Sequence, residues 1–257
     1  MLSVRSLVAA TLLLWAAATP AQQGGDLQAQ ILYAYQSEDG NGLANLIQDL
    51  TIQVKADPGD ASLKYHLAHA QYRSGLLAAG AAVAGAATAG AGARAESAFS
   101  DCIDQLKPLV SHDVKSVEAL ILQSACYAGL ADQRKLESVL LRSRSDERLK
   151  TALKLAPHNP RAVFLSSMEG LARAKPGSDE QRSSFAELER AAQLFDQSSA
   201  TNIDAPGWGH AEAYLALGEQ LQSRGDQVGA RNWIEKSLIA APDYKAAQRQ
   251  LAQLVRH

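Results

Sequence analysis

The sequence predicts an all-α protein built as a stack of about five antiparallel helical hairpins with a single helix closing the C-terminal end. Three observations carry this. Apolar residues recur at three- and four-residue spacing along most of the chain. Alanine and leucine dominate, β-branched residues are few, and aromatics make up 5% of 257 residues, a composition that favours helix over strand. The helical stretches come in pairs, divided by Gly, Pro and Asp turn signals, and no alternating strand pattern appears. The net charge of −2, with no basic stripe and no interleaved aromatics, argues against nucleic acid and against an acidic surface as partner.

The opening MLSVRSLVAATLLLWAAATPAQQGG has Arg5 before an uncharged apolar run from Leu7 to Ala18, then the small residues Thr19-Pro20-Ala21. This is the pattern of a secretory signal peptide over residues 1–21, too short for a spanning helix. Cleavage is expected after Ala21, with Ala18 as the alternative. No cysteine follows the run, which argues against a lipoprotein. The style of the signal is bacterial, so the mature chain, residues 22–257, is expected in the periplasm or secreted, with no membrane span left.

The pairs follow in order. Asp26 to Asp39 reads as a first helix capped by Asp26. Asp39-Gly40-Asn41-Gly42 reads as a turn, and Leu43 to Ala56 as the return, closed by Asp57-Pro58. Ala61 to Gly75 begins a second pair. Residues 76–93 are uncharged and almost wholly alanine and glycine. They read as an insertion, a frayed helical extension with a flexible loop, because their side chains are too small for a membrane span. Glu96 to Val110 returns with Phe99, Cys102, Ile103 and Leu106 on one face. Val114 to Leu130 and Gln133 to Leu155 form the third pair. The return is long, and its charged RSRSDERLK reads as a solvated protrusion or a break. Pro160 starts the fourth pair. Asp179 to Gln197 returns, burying Phe185, Leu188, Ala192 and Phe195. A polar link ends in Pro206-Gly207-Trp208-Gly209, where Trp208 is expected to plug the gap between the fourth and fifth pairs. Residues 244–256 read as the capping helix.

The clearest unit spans residues 211–244. Tyr214, Leu217, Gly218 and Leu221 share one face of its first helix. Gly225-Asp226 turns the chain. Ala230, Ile234 and Ser237 face back, and Pro242 ends the second helix. This resembles the tetratricopeptide repeat (TPR), a unit of about 34 residues. Leu217, Gly218, Ala230 and Pro242 match its signature outright, and Tyr214, Leu221 and Ile234 are apolar stand-ins. Leu67, Ala68 and Gly75 take the same places in the second pair. The ALKLAPHNPRA and WGHAEAYLALG stretches are similar to a set of uncharacterised exported bacterial TPR proteins. The resemblance implies a right-handed superhelix whose first helices line a concave groove. Carried over by position, the second hairpin would present Tyr65, His69, Tyr72 and Arg73, and the last Glu212, Leu215, Glu219 and Gln222. Aromatic and arginine side chains are common partner anchors; packing between repeats is the other reading of the Tyr65–Arg73 cluster. The TPR subtype that clamps a C-terminal carboxylate uses Lys and Asn at such places, from which Leu215 and Glu219 depart.

Cys102 and Cys126 fall on neighbouring helices, the second of one hairpin and the first of the next. A disulfide is one outcome in an oxidising compartment; two buried thiols that never meet is the other. His66 and His69 have helical ligand spacing but no further ligands in pattern. There is no G-x-S-x-G, no phosphate loop and no dinucleotide fingerprint. The expectation is a non-enzymatic exported scaffold, without cofactor or metal, that binds a protein or peptide in its groove, with cell-envelope assembly as one process it would serve. The alternatives are a small-molecule binder or enzyme on a helical frame, and a self-associating structural repeat.

Overall fold

Paired helices that cannot bury an apolar face alone must stack on their neighbours, and the chain does so along its whole described length. A computed structural model describes residues 20–83, 90–111, 116–199 and 206–255. Most of the proposed signal peptide and the middle of the Gly/Ala stretch fall outside these. The helices are α1 (Pro20–Gln36), α2 (Gly40–Ala56), α3 (Ala61–Val83), α4 (Ala91–Leu106), α5 (Val117–Gln133), α6 (Ser138–Leu155), α7 (Pro160–Arg173), α8 (Asp179–Ser199), α9 (His210–Ser223), α10 (Gln227–Ala240) and α11 (Lys245–Leu254). No strand occurs among the described residues. The helices pair as α1–α2, α3–α4, α5–α6, α7–α8 and α9–α10, each pair packs on the next, and α11 lies on α10. This is the all-α hairpin stack with a closing helix.

Local chemistry sets the ends. Asp39 accepts from the Gly42 amide at 2.8 Å, and Asp226 accepts from the Gly229 amide at 2.8 Å, so each caps its helix. Asn159 caps α7, with Pro160 at its first position. Gly225 has φ +83° and nothing within 4 Å of where a Cβ would sit, so its conformation alone requires glycine. Gly218 is required for space: a Cβ there would lie 2.5 Å from Ile234 Cγ1 and 3.0 Å from the Ala230 carbonyl.

Several boundaries differ from expectation. Asp26 lies within α1 rather than capping it, because the helical backbone runs through Gly24 and Gly25. The expected turn Asp39–Gly42 shortens, since Asp39 caps a helix that already begins at Gly40. Gly75 does not end a helix; α3 continues to Val83. Its role is close approach: Phe99 of α4 lies between Gly75 and Gly129 of α5, and a Cβ would come 2.7 Å from the ring at the first and 2.6 Å at the second. Residues 76–83 of the Gly/Ala stretch thus extend α3 and 91–93 begin α4, while the loop expected between them falls on 84–89, outside the described residues; Leu76, Ala78 and Ala79 pack into the main core. The charged RSRSDERLK neither breaks nor protrudes. A short 3₁₀ turn, Lys135–Glu137, absorbs the extra length, and α6 runs unbroken with Leu141, Ser145, Leu149 and Ala152 buried on one face. Phe185 is only half-buried and carries the Arg224 guanidinium 3.8 Å above its ring, whereas Leu188, Ala192 and Phe195 are buried.

Cys102 of α4 and Cys126 of α5 are joined by a disulfide, their Cα atoms 6.3 Å apart and neither residue exposed. It closes a loop of 24 residues. Replacing both cysteines with serine should lower stability by about 3 kcal/mol through the freer unfolded chain, read as a lower urea midpoint. Gly129→Ala, which forces Phe99 out of its slot, should cost about 1–3 kcal/mol, while Gly80→Ala, with nothing within 4 Å, should cost nothing or stabilise slightly.

Candidate functional site

The first helices of all five hairpins converge on one centre, and that centre is filled. α3 supplies Tyr65, His69, Tyr72 and Arg73 on successive turns, the spacing that lines one face of a helix. Across from them stands Glu212 of α9. Arg73 Nη2 lies 2.6 Å from Glu212 Oε1, an ion pair in contact although its hydrogen-bond angles are poor. Arg73 is only 2% exposed. Its Nε donates to His69 Nε2 at 3.0 Å, and its guanidinium sits 4.3 Å over the Tyr35 ring of α1.

A second pair mirrors the first. Arg161 of α7 forks onto Glu118 of α5, with Nε and Nη2 each 2.7 Å from a carboxylate oxygen, and its Nη1 donates to the Pro206 carbonyl at 2.5 Å. Trp208 lies between these pairs, with its ring 5.7 Å from the Arg73 guanidinium and 6.0 Å from that of Arg161. Its indole N–H donates to the Tyr65 hydroxyl at 2.9 Å, and the rings of His69 and Tyr72 stand at 6.0 and 6.4 Å. Trp208 therefore does not merely plug the gap between the fourth and fifth hairpins. It crosses to the second, because the two glycines beside it let the chain dip inward.

The electrostatics follow from burial. The His69 ring is held well below the ordinary histidine range by burial, then by the positive charge of Arg73 beside it. It is a neutral acceptor for Arg73. Burial also lowers His66 and raises the phenols of Tyr65 and Tyr72. No group of His, Cys, Asp and Glu suited to a metal occurs among the described residues.

The eight groove positions thus divide. Tyr65, His69, Tyr72, Arg73 and Glu212 are brought together, but as packing between hairpins rather than an open lining. Leu215 is buried toward the other side, in a cluster with Ala211, Ile234, Ala241, Tyr244 and Ala247 where α11 covers the last hairpin. Glu219 is exposed, and Gln222 lies at the edge, paired with Gln250 of α11. Of the packing positions, Tyr214, Leu217, Gly218, Ala230 and Ile234 are buried, Leu221 is half-buried and Pro242 is exposed just after α10. Ser237 donates to the Ala211 carbonyl at 2.8 Å, tying α10 to α9. Tyr35, Glu118 and Arg161 escaped the sequence reading. Helical spacing places them on first-helix inner faces, but the choice of partner across the stack has no local signal.

The ends also meet. Glu38 accepts from both Nη atoms of Arg249, at 2.6 and 2.9 Å, and the Tyr35 and Tyr244 rings lie 6.2 Å apart. Glu38 is the non-glycine residue with positive φ, +59°, among the described residues. A shallow depression bounded by Gly170, Arg173, Ser183 and Ser184 lies on the fourth hairpin, not beside the Gly/Ala stretch.

No family profile matches the chain, and no curated protein matches it significantly. Among solved structures, it is similar to a thermophilic TPR protein of Thermus thermophilus, with a TM-score of 0.62 and 18% identity over 92% of this chain and 100% of that one. At that identity the likeness carries the fold alone. The chain has a TPR-like helical-repeat fold. No helix among the described residues is long and apolar enough to cross a membrane.

Glu212→Gln keeps the acceptor that caps the Gly209 amide but leaves Arg73 buried without a countercharge. It should cost about 3–5 kcal/mol, whereas the double change with Arg73→Met should cost clearly less than the sum of the single changes in a denaturation cycle. Because the folded state resists protonating His69, stability present above about pH 6.5 should fall as pH drops below it, by at most about 1.4 kcal/mol per pH unit for one proton. Glu169 acts oppositely. Burial and neighbouring Asp146 raise its pKa, so folding gains as pH falls through that raised value. The urea-midpoint difference between the parent and His69→Gln at pH 7.5 and 5.5 cancels the Glu169 part, and the variant should show the shallower decline.

Proposed function

We propose that the chain is an exported scaffold that binds a protein or peptide partner in the cell envelope. The observation that carries it is the TPR-like stack extending over 92% of the chain, since such stacks serve as surfaces for other chains. The export half is supported by the signal-like residues 1–21 and by a disulfide with both residues fully buried, a cross-link suited to an oxidising compartment. Of the eight groove positions, Glu219 and Gln222 can meet a partner without rearrangement of the centre.

Crosslinking capture from a periplasmic extract tests this, with the mature chain as bait beside a Glu219→Arg/Gln222→Glu variant. Capture of one envelope protein by the parent, lost in the folded variant, is the expected outcome. Recovery of the tagged full chain unprocessed in the cytosolic fraction would overturn export. A second reading, self-association, is favoured by one observation. Leu136 is 103% exposed, and Val139 and Leu140, three and four residues on, are also exposed, an uncovered apolar strip running from the 3₁₀ turn into the start of α6. Capture of the bait's own copies alone would bring that reading forward.

A further inference from the structure

The segment Pro206–Gly209 makes contacts of the kind a bound peptide makes. Its backbone is paired at Gly209, the N-cap of α9, whose N–H donates to Glu212 Oε2 at 3.0 Å and whose carbonyl accepts from the Ala213 amide at 2.9 Å. Ahead of Gly209 its holds are the Pro206 carbonyl on Arg161 and the Trp208 indole on Tyr65. Its largest side chain is an anchor: Trp208 is 2% exposed and ranks first by volume among the fully buried side chains. Both neighbours of that anchor are glycines, and the second is required. A Cβ on Gly207 would lie 2.8 Å from Gln28 Nε2, the movable end of a long side chain. One on Gly209, where φ is +99°, would lie 2.7 Å from Phe195 Cζ. The walls are charge-balanced, since Arg73 faces Glu212 and Arg161 faces Glu118. They offer a hydroxyl acceptor and two cationic faces to an aromatic ring, and no net charge to an ionic one.

We infer that the centre of the stack is a peptide site occupied by the chain's own Pro206–Gly209, and that the partner it fits is an uncharged, extended segment carrying Gly-Trp-Gly. Trp208 is then a resident ligand that an incoming segment must displace. The inference rests on the scaffold reading above and names its site. An anchoring aromatic in a desolvated pocket is the usual focus of binding energy in such contacts, and release of Trp208 would open at most the first turn of α9, which Gly209 caps.

The test uses the purified mature chain and the synthetic peptide acetyl-Pro-Gly-Trp-Gly-amide. Trp208→Ala, with its helical content checked by circular dichroism, should bind the peptide at least about tenfold more tightly than the parent, because the competing segment has lost its anchor. Adding Tyr65→Phe should weaken that binding about three- to tenfold through the lost indole acceptor. Equal binding by parent and variant, no binding by the folded variant, or binding of free indole as tight as the tetrapeptide would each overturn the inference; the last would mean a cavity only. Hydrogen exchange on the parent decides the matter even if Trp208→Ala does not fold. The amides of Gly207 and Trp208 should exchange faster than the slowest amides of α3 and α9. Exchange only with global unfolding would make Trp208 a structural keystone and overturn the inference. A negative peptide result beside a captured envelope protein would leave the scaffold reading standing and remove only the centre as its site.

Discussion

A guanidinium buried at the centre of the stack, that of Arg73, is the constraint on which the rest depends. A charge taken out of water costs several kcal/mol unless it is paired and hydrogen-bonded. Arg73 therefore demands a carboxylate from the far side, and Glu212 supplies it from 139 positions along the chain. His69 must stay neutral to accept from it, and Tyr35 must lie flat beneath it. Hairpins one, two and five are fixed relative to one another by that single side chain. Hairpins three and four are tied in by the parallel arrangement of Arg161 on Glu118.

This turns a repeat stack, normally a chain of nearest-neighbour contacts, into a structure with long-range closure. The Glu38–Arg249 pair and the Tyr35–Tyr244 contact join the first hairpin to the last helix. The exposed ion pair by itself contributes little; its position matters more than its strength, because it sits where the buried centre has already brought the ends together. The positive φ of Glu38 costs something in a non-glycine residue, and the contact made from that turn gives the conformation a reason.

Closure also changes what the inner face can do. An open groove lined with tyrosines and an arginine would offer anchors to any passing chain. Here those residues hold Trp208, and the outward positions Glu219 and Gln222 are polar. The disulfide between α4 and α5 stiffens the middle of the stack near the Phe99 slot, where two glycines let three helices meet on one ring. The part of the molecule that shapes the centre is thus rigid, while the segment filling it is flanked by glycine.

Local rules in the sequence were enough for the all-α class, the hairpin pairing, the turn at Gly225-Asp226 and the helix start at Pro160, since periodicity, turn residues and the fixed φ of proline act within a few residues. The resemblance to the TPR, carried over by position, put Tyr65, His69, Tyr72, Arg73 and Glu212 on inner helix faces, and the 3.6-residue repeat of the helix kept the α3 set on one side. Whether those faces meet solvent, a partner or each other depends on how far the stack curves. That curvature sums small packing rotations over five hairpins and leaves no mark at any one position. Gly75 shows the same limit: glycine reads equally as a helix end or a close approach until Phe99 is seen against it. The tertiary structure alone decided that Cys102 meets Cys126, that Trp208 crosses to the second hairpin, and that the concave face is closed by charges from opposite ends of the chain, for each requires knowing which distant helix arrives within a few ångströms.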